Sequence, residues 1–253
     1  MDMLRHDVTD QQWARIAAHL PAERGRQGRP VLLRNRQFMH AIRYFAKTGL
    51  PWRDLPPEFG PWKTVYHRFS SWSKAGVFDE LLRVLSQDSD CENVMVDGTY
   101  IRAHQHAAGG LGGPQKNEIG LSRGGLTTKI HALVDGLGNP LHVHLSAGNI
   151  HDITEAPKLL AVAHGRNFIA DKGYDSDAVR AAVRAKRMTP VIPSKRNRLV
   201  PAQIDKLVYK ERHLVENFFC KLKVFRRIAT RYDKTAIHFL GLVTLVSCWI
   251  QLA

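Results

Sequence analysis

NVMVDGTYIRA (93–103), TTKIHALVDG (127–136) and NPLHVHLSAGN (139–149) are the stretches whose reading decides the fold. Each is rich in Val, Ile, Leu, Thr or Tyr and reads as a strand, and DGLGNP (135–140) between the second and third is a strong hairpin signal. Downstream, ITEAPKLLAVAHG (153–165) reads as a helix, NFIAD (167–171) as a short apolar strand, DSDAVRAAVRAKR (175–187) as a helix, TPVIPS (189–194) as a strand and 209–228 as one helix. Three antiparallel strands followed by alternating helix and strand units predict a layered α/β domain with a mixed sheet. Between the first two strands, residues 104–126 are dense in glycine and without periodicity, which predicts a mobile loop.

Upstream the pattern is helical. TDQQWARIAAHL (9–20) opens on Thr9 as a cap, RNRQFMHAIRYFAKTG (34–49) ends on Gly49, and WKTVYHRFSSWSKAG (62–76) ends on Gly76, with LPPEFGP (55–61) breaking the chain before the last. Its aromatic and basic third helix, with Lys63, Tyr66, His67 and Arg68, suits a helix-turn-helix-like DNA reader, and equally any small helical bundle. The expected organisation is a small all-helical DNA-binding region at 1–90 and a catalytic domain at 91–253.

The net charge of +14 is concentrated. Residues 180–234 carry 16 basic and 4 acidic side chains, whereas residues 1–90 carry 14 and 10. Such a local electropositive surface points to a polyanion, and nucleic acid is the usual one. Three dispersed cysteines without a C-x-x-C pair exclude a disulfide framework or zinc ribbon and fit a reducing cytoplasm. MDMLRHDVTDQQW (1–13) has no apolar core of a secretory signal. AIHFLGLVTLVSCWIQLA (236–253) approaches spanning length, but its His238 and Gln251 favour a buried terminal helix, so no membrane partner is expected.

Carboxylates carry the chemistry. Asp97 interrupts the apolar run VMVDGTYI, Asp171 ends the strand FIAD, and Glu216 lies in YKERHLVENFFCKLK (209–223). On a helix Tyr209, Arg212, Cys220, Lys223 and Arg227 would share the Glu216 face, with Leu214, Phe218 and Phe225 opposite. Charges on buried strands are costly unless paired or metal-bound, although Asp171 could be only a cap and Arg212–Glu216 only a surface pair. Three converging carboxylates suit Mg²⁺ or Mn²⁺, and two such ions can drive in-line phosphoryl displacement. His142 and His144 alternate on one strand face and suggest a zinc hydrolase, but a third ligand with convincing spacing is missing, so exposed strand histidines are expected. Asp152 is expected to cap a helix, Asp135 and Asp175 to serve turns, and SKRNR (194–198) has no assigned role.

The spacing Y-x2-R-x3-E-x6-K of Tyr209, Arg212, Glu216 and Lys223 resembles the signature around the third acid of bacterial insertion-sequence DDE transposases. VDGTYIRAHQH (96–106), SRGGLTTKIHALVDGLGNPL (122–141), AGNIHD (147–152), ADKGYDSD (170–177) and PWRDLPPEFGPWKTVYHRFSSW (51–72) resemble insertion-sequence family five in particular. The resemblance covers nearly the whole chain. It implies an RNase H-like catalytic domain, a metal-binding triad of Asp97, Asp171 and Glu216, and DNA contacts from Tyr209, Arg212 and Lys223, beside those expected of Lys63, His67 and Arg68. It implies two Mg²⁺ or Mn²⁺ ions, cleavage at transposon ends, joining of the 3′-hydroxyl to target DNA, a homodimer or larger assembly on DNA, and a bacterial cytoplasmic location. The rivals are an inactive or domesticated DNA-binding regulator and a nuclease without strand transfer.

Overall fold

The structure, a computed structural model, describes residues 8–23 and 32–253. Residues 1–7 of the segment read for a secretory signal lie outside the described residues.

The helical half is built as its caps predict. In α1 (Asp10–Ile16) the Thr9 hydroxyl accepts from the Gln12 backbone while the Gln12 side chain accepts from that of Thr9, a reciprocal capping box. Helix α2 (Asn35–Thr48) closes on Gly49 in the left-handed region, and α3 (Trp62–Lys74) is followed by α4 (Val77–Leu85). The remaining elements are β1 (Asn93–Ala103), α5 (Gly113–Lys116), β2 (Gly120–Ser122), β3 (Gly125–Val134), β4 (Pro140–Ala147), α6 (Asp152–Val162), β5 (Asn167–Ala170), α7 (Asp177–Ala185) and β6 (Thr189–Val191). They are followed by α8 (Lys206–Lys210), α9 (His213–Lys223), α10 (Arg226–Ala229), β7 (Thr230–Arg231) and α11 (Ala236–Gln251).

The main sheet runs β4-β3-β1-β5-β6, antiparallel across the first three strands and parallel across the last three, with β2 beside β3 and β7 beside the end of β1. This is the mixed α/β, RNase H-like sheet with preceding helices that the sequence leads one to expect. Strand alternation assigns the faces. Met95 and Ile101 of β1 join the core formed with α2, α3, α4, α9 and α11, whereas Val94 and Val96 join the one formed with α6 and α7.

The first core is shared. Phe38, Phe45, Phe69 and Phe78 of the helical region are in one cluster with Phe239, Leu242, Leu245 and Trp249 of α11. A Cβ on Gly241 would fall 2.8 Å from the Ser73 Cβ, so this glycine lets α3 and α11 cross closely. Helix α11 is buried along most of its length, as expected, and among the described residues no helix is long and apolar enough to cross a membrane.

Three local expectations change. Residues 104–126 hold α5 and β2 and are tied down: Asn117 donates to the Leu111 and Gly113 carbonyls and accepts from the Ala236 backbone at 3.3 Å, and the Thr128 hydroxyl of β3 donates to the Glu118 carbonyl at 2.6 Å. Glycine density hid these tertiary anchors. The expected 209–228 helix is three pieces, because i→i−3 bonds tighten the turn at Arg212–Val215 and Phe225 adopts extended geometry. Arg227 therefore leaves the Glu216 face and is buried between Phe45 and Tyr232. Asp175, expected in a turn, is a buried anion held by Arg180 and by Arg198 of the SKRNR stretch.

Candidate active site

Asp97 and Asp171 come together through sheet register. Val96 pairs with Ala170 between parallel β1 and β5, so each carboxylate is the next residue along neighbouring strands. Asp97 accepts from the Gly98 backbone at 2.7 Å and from Arg212 at 2.8 Å, and Asp171 accepts from the Gly173 backbone at 2.8 Å while capping a short turn. Burial pushes the Asp97 carboxyl up to about 6, against the lowering effect of Gly98 and Arg212, and the Asp171 charge adds to the rise.

Glu216 arrives from α9, on the Asp97 side of β1. Arg212 sits between them, bonding Asp97 with one guanidinium nitrogen and Glu216 with the other. Tyr209 lies close enough to Arg212 to help hold its charge, and Lys223 reaches across to the Thr99 hydroxyl at 2.6 Å. Of the Y-R-E-K residues, Arg212 and Lys223 therefore reach the strand that carries Asp97, and Glu216 and Tyr209 are gathered around Arg212. Two of the acids, Asp97 and Glu216, are nevertheless bridged by a guanidinium. Among the described residues, the group of ligand-type side chains with atoms within 4.8 Å of one another is His131, His144 and Glu155.

That group corrects the expectation of exposed strand histidines. His144 is buried, bonds Glu155 at 3.0 Å and stacks on fully buried His131 at an interplanar angle of 18°. Burial drives both imidazoles to lower pKa, about 3 for His131 and about 4 for His144, so both are neutral near pH 7. Glu155 is desolvated too, but the Lys158 ammonium at 2.7 Å and His144 hold its carboxyl below the usual range. Nearly parallel rings do not aim their in-plane lone pairs at one point, and Glu155 is already bonded twice. The group is a buried polar network behind β1, as its partners require.

Sequence reasoning missed the residues linking this network to the acids. Buried Lys129 on β3 bonds Asp152 at 2.9 Å and the Ile150 carbonyl at 2.8 Å. Asp152 lies 3.8 Å from the His131 ring, and a Cβ on Gly98 would come within 2.9 Å of it, so glycine next to Asp97 admits this contact. Tyr174 is fully buried beside the same carboxylates, which together with burial raise its hydroxyl well above the ordinary value. The available signal was a lysine in the apolar alternation of β3, whose charge needed a partner.

The N-terminal residues divide. Lys63 and His67 are exposed on α3. Arg68 is turned inward, donating to Asn35 at 3.1 Å and lying over the Phe38 and Trp72 rings, so it ties α3 to α2.

Comparison with known proteins gives two family matches: "Putative transposase of IS4/5 family" over residues 8–82 and "Transposase DDE domain" over residues 92–250. A "Putative transposase for insertion sequence element IS6501" of Brucella ovis is 41% identical over 129 residues, covering 50% of this chain and 99% of that protein. "Uncharacterized protein y4sN" of Sinorhizobium fredii is 43% identical over 103 residues, covering 40% of this chain and 81% of that one. Among solved structures, a piggyBac transposase synaptic complex with hairpin DNA superposes with a TM-score of 0.50 at 12% identity, over 85% of this chain and 63% of that one. At that identity the likeness concerns the fold.

Proposed function

The chain belongs to the DDE transposase family, and on that premise we propose that it cuts DNA at the ends of its own mobile element and joins the freed 3′-hydroxyl to target DNA. The observation that carries the proposal is the meeting of Asp97 and Asp171 on adjacent strands with Glu216 across Arg212.

The donor set is all carboxylate oxygen, which fits hard divalent cations such as Mg²⁺ or Mn²⁺. Asp97, Asp171 and Glu216 would hold one or two of them, supplying Lewis acidity for water or 3′-hydroxyl attack and for the leaving oxygen. The raised Asp97 carboxyl supports this assignment, since it is a buried acid with too little positive charge around it. When DNA is absent Arg212 shares its single positive charge between Asp97 and Glu216, and a DNA phosphate would compete for the same guanidinium fork. Lys223 and Tyr209 would hold the neighbouring backbone. Lys129, Asp152 and His131 would brace β1 from behind, keeping Asp97 aimed.

We infer a division of labour between the two regions, whose boundary lies between the two family matches. Residues 1–90, with Lys63 and His67, would read the ends, and residues 91–253 would cut and join, in a homodimer or larger assembly acting on cytoplasmic, nucleoid-bound DNA. The test incubates the full chain with Mg²⁺, a duplex carrying the element's own end and a target plasmid, scoring cleavage and joining separately. Asp97→Asn, Asp171→Asn and Glu216→Gln should each lose both products and keep DNA binding. Joining that survives any of these substitutions removes that residue from the proposed triad. Cleavage without joining would favour the nuclease, and binding alone the regulator.

A further inference from the structure

A cleft of about 680 Å³ opens between the helical region, the Gly109–Leu111 turn and the start of α11, apart from the carboxylates. Its walls are aromatic. Trp52, Trp62, Tyr66 and Tyr232 line it, with Trp52 fixed by stacking on Phe45 at 3.8 Å and meeting Tyr66 edge-on at 5.2 Å. Arg53 and Lys234, both exposed, supply positive charge at the rim.

The polar lining is incomplete. Among the described residues, the Arg227 Nε, Asp233 Oδ2 and Thr235 Oγ1 are buried without a hydrogen-bond partner. The Arg227 and Asp233 side chains are only 9% and 7% exposed, and their 3.4 Å approach is an ion pair rather than a hydrogen bond. Buried unpaired donors and acceptors are costly, and a ligand edge presenting both kinds would offset that cost. Flat aromatic walls, a cationic rim and a mixed donor–acceptor floor together describe a planar heterocycle attached to a phosphate chain.

Position supplies the identity. Strand β7, just before Tyr232, pairs with Arg102 and Ala103 of the strand that carries Asp97, and the Lys223–Thr99 contact lies between. Five or six strand residues span about 15–20 Å, or roughly five nucleotides along one DNA strand. We propose that the cleft receives a nucleobase of the bound DNA, swung out of its stack about five nucleotides from the phosphate held at the carboxylates. The inference rests on the transposase reading and adds a base-binding site to it.

The experiment uses the full chain in EDTA with end duplexes carrying 5-iodouracil singly at successive positions on either side of the cleavage site. Photocrosslinks mapped by mass spectrometry should reach Trp52, Trp62, Tyr66 or Tyr232 from a narrow set of positions near the fifth nucleotide. Trp62→Ala should weaken binding of the intact duplex by about 5- to 100-fold, the worth of one stacked base. Trp62→Phe should restore most of it, and an abasic nucleotide at the crosslinked position should erase the difference. Thr235→Val, which leaves the aromatic walls in place, should weaken the intact duplex but not the abasic one. Crosslinks that reach only other residues, or a loss of affinity in Trp62→Ala or Thr235→Val that is as large on the abasic duplex as on the intact one, overturn the inference. Cleavage of the same duplex with Mg²⁺ is scored in parallel. Cleavage without crosslinking at the cleft sinks the base site alone, whereas loss of both cleavage and end binding in the wild-type chain sinks the transposase reading with it.

Discussion

Asp97 is worth more to the proposed chemistry than to stability. Its carboxyl is raised from 3.8 to about 6 by burial, so the folded state resists the charge it must carry. The stabilising effect of a raised carboxyl is fully present below pH 3.8 and is lost as pH rises through about 6. Asp97→Asn should therefore make the metal-free protein about 1–2 kcal/mol more stable above neutrality, after allowing for the lost Arg212 contact, with the gain vanishing in acid. Denaturant titrations at mildly alkaline and acid pH would check this, and a destabilised variant at high pH would refute it. Arg212 gives the complementary case. Because its guanidinium occupies the space between Asp97 and Glu216, Arg212→Gln should bind Mn²⁺ more tightly without DNA, read by titration calorimetry. The same variant should flatten the salt dependence of DNA binding by about one phosphate contact. Unchanged metal affinity would make the contact an incidental ion pair.

At the level of elements, the crossing of α3 and α11 is set by one missing side chain. Gly241 faces Ser73, and an added methyl has nowhere to go unless the helices part. Gly241→Ala should cost about 1–3 kcal/mol by overpacking, measured as a lower melting temperature, with Ser73→Gly restoring part of it. An unaffected Gly241→Ala would show that the two helices slide freely. The broken segment Lys206–Ala229 makes a related point. Arg212 and Lys223 stay on β1 across the break, with Glu216 and Tyr209 beside Arg212, but Arg227 is carried away into the helical core. Periodicity alone put Arg227 with Glu216; the extended Phe225 decided otherwise.

Across the whole molecule, the helical region and the sheet do not own separate cores. Phe69 and Phe78 pack on Phe239 and its α11 neighbours from the far end of the chain, so residues 1–88 alone would expose an apolar face that α11 covers. The helical pattern of 1–90 predicts a separate DNA-binding region, which taken alone would be expected to fold by itself. From the shared core we expect that fragment to lack cooperative unfolding by circular dichroism, and to gain structure when an α11 peptide is added. A fragment that melts cooperatively by itself would restore the simpler picture.

Much of this was legible in one dimension. The order of helices and strands, Gly49 and Thr9 as punctuation, the hairpin at 135–140 and the Y-R-E-K spacing are local signals, because turns, caps and short-range periodicity depend on neighbouring residues. Tertiary structure alone decided which charges share a space: Asp152 with Lys129 and His131, His144 with Glu155, Arg68 with Asn35, and Arg212 between two of the three acids. Those partners are 11 to 115 residues apart except for Glu216, four residues from Arg212. A buried charge announces that it needs a partner, but only the register of β1 against its neighbours and the packing of α6 and α9 on the sheet determine which partner it finds.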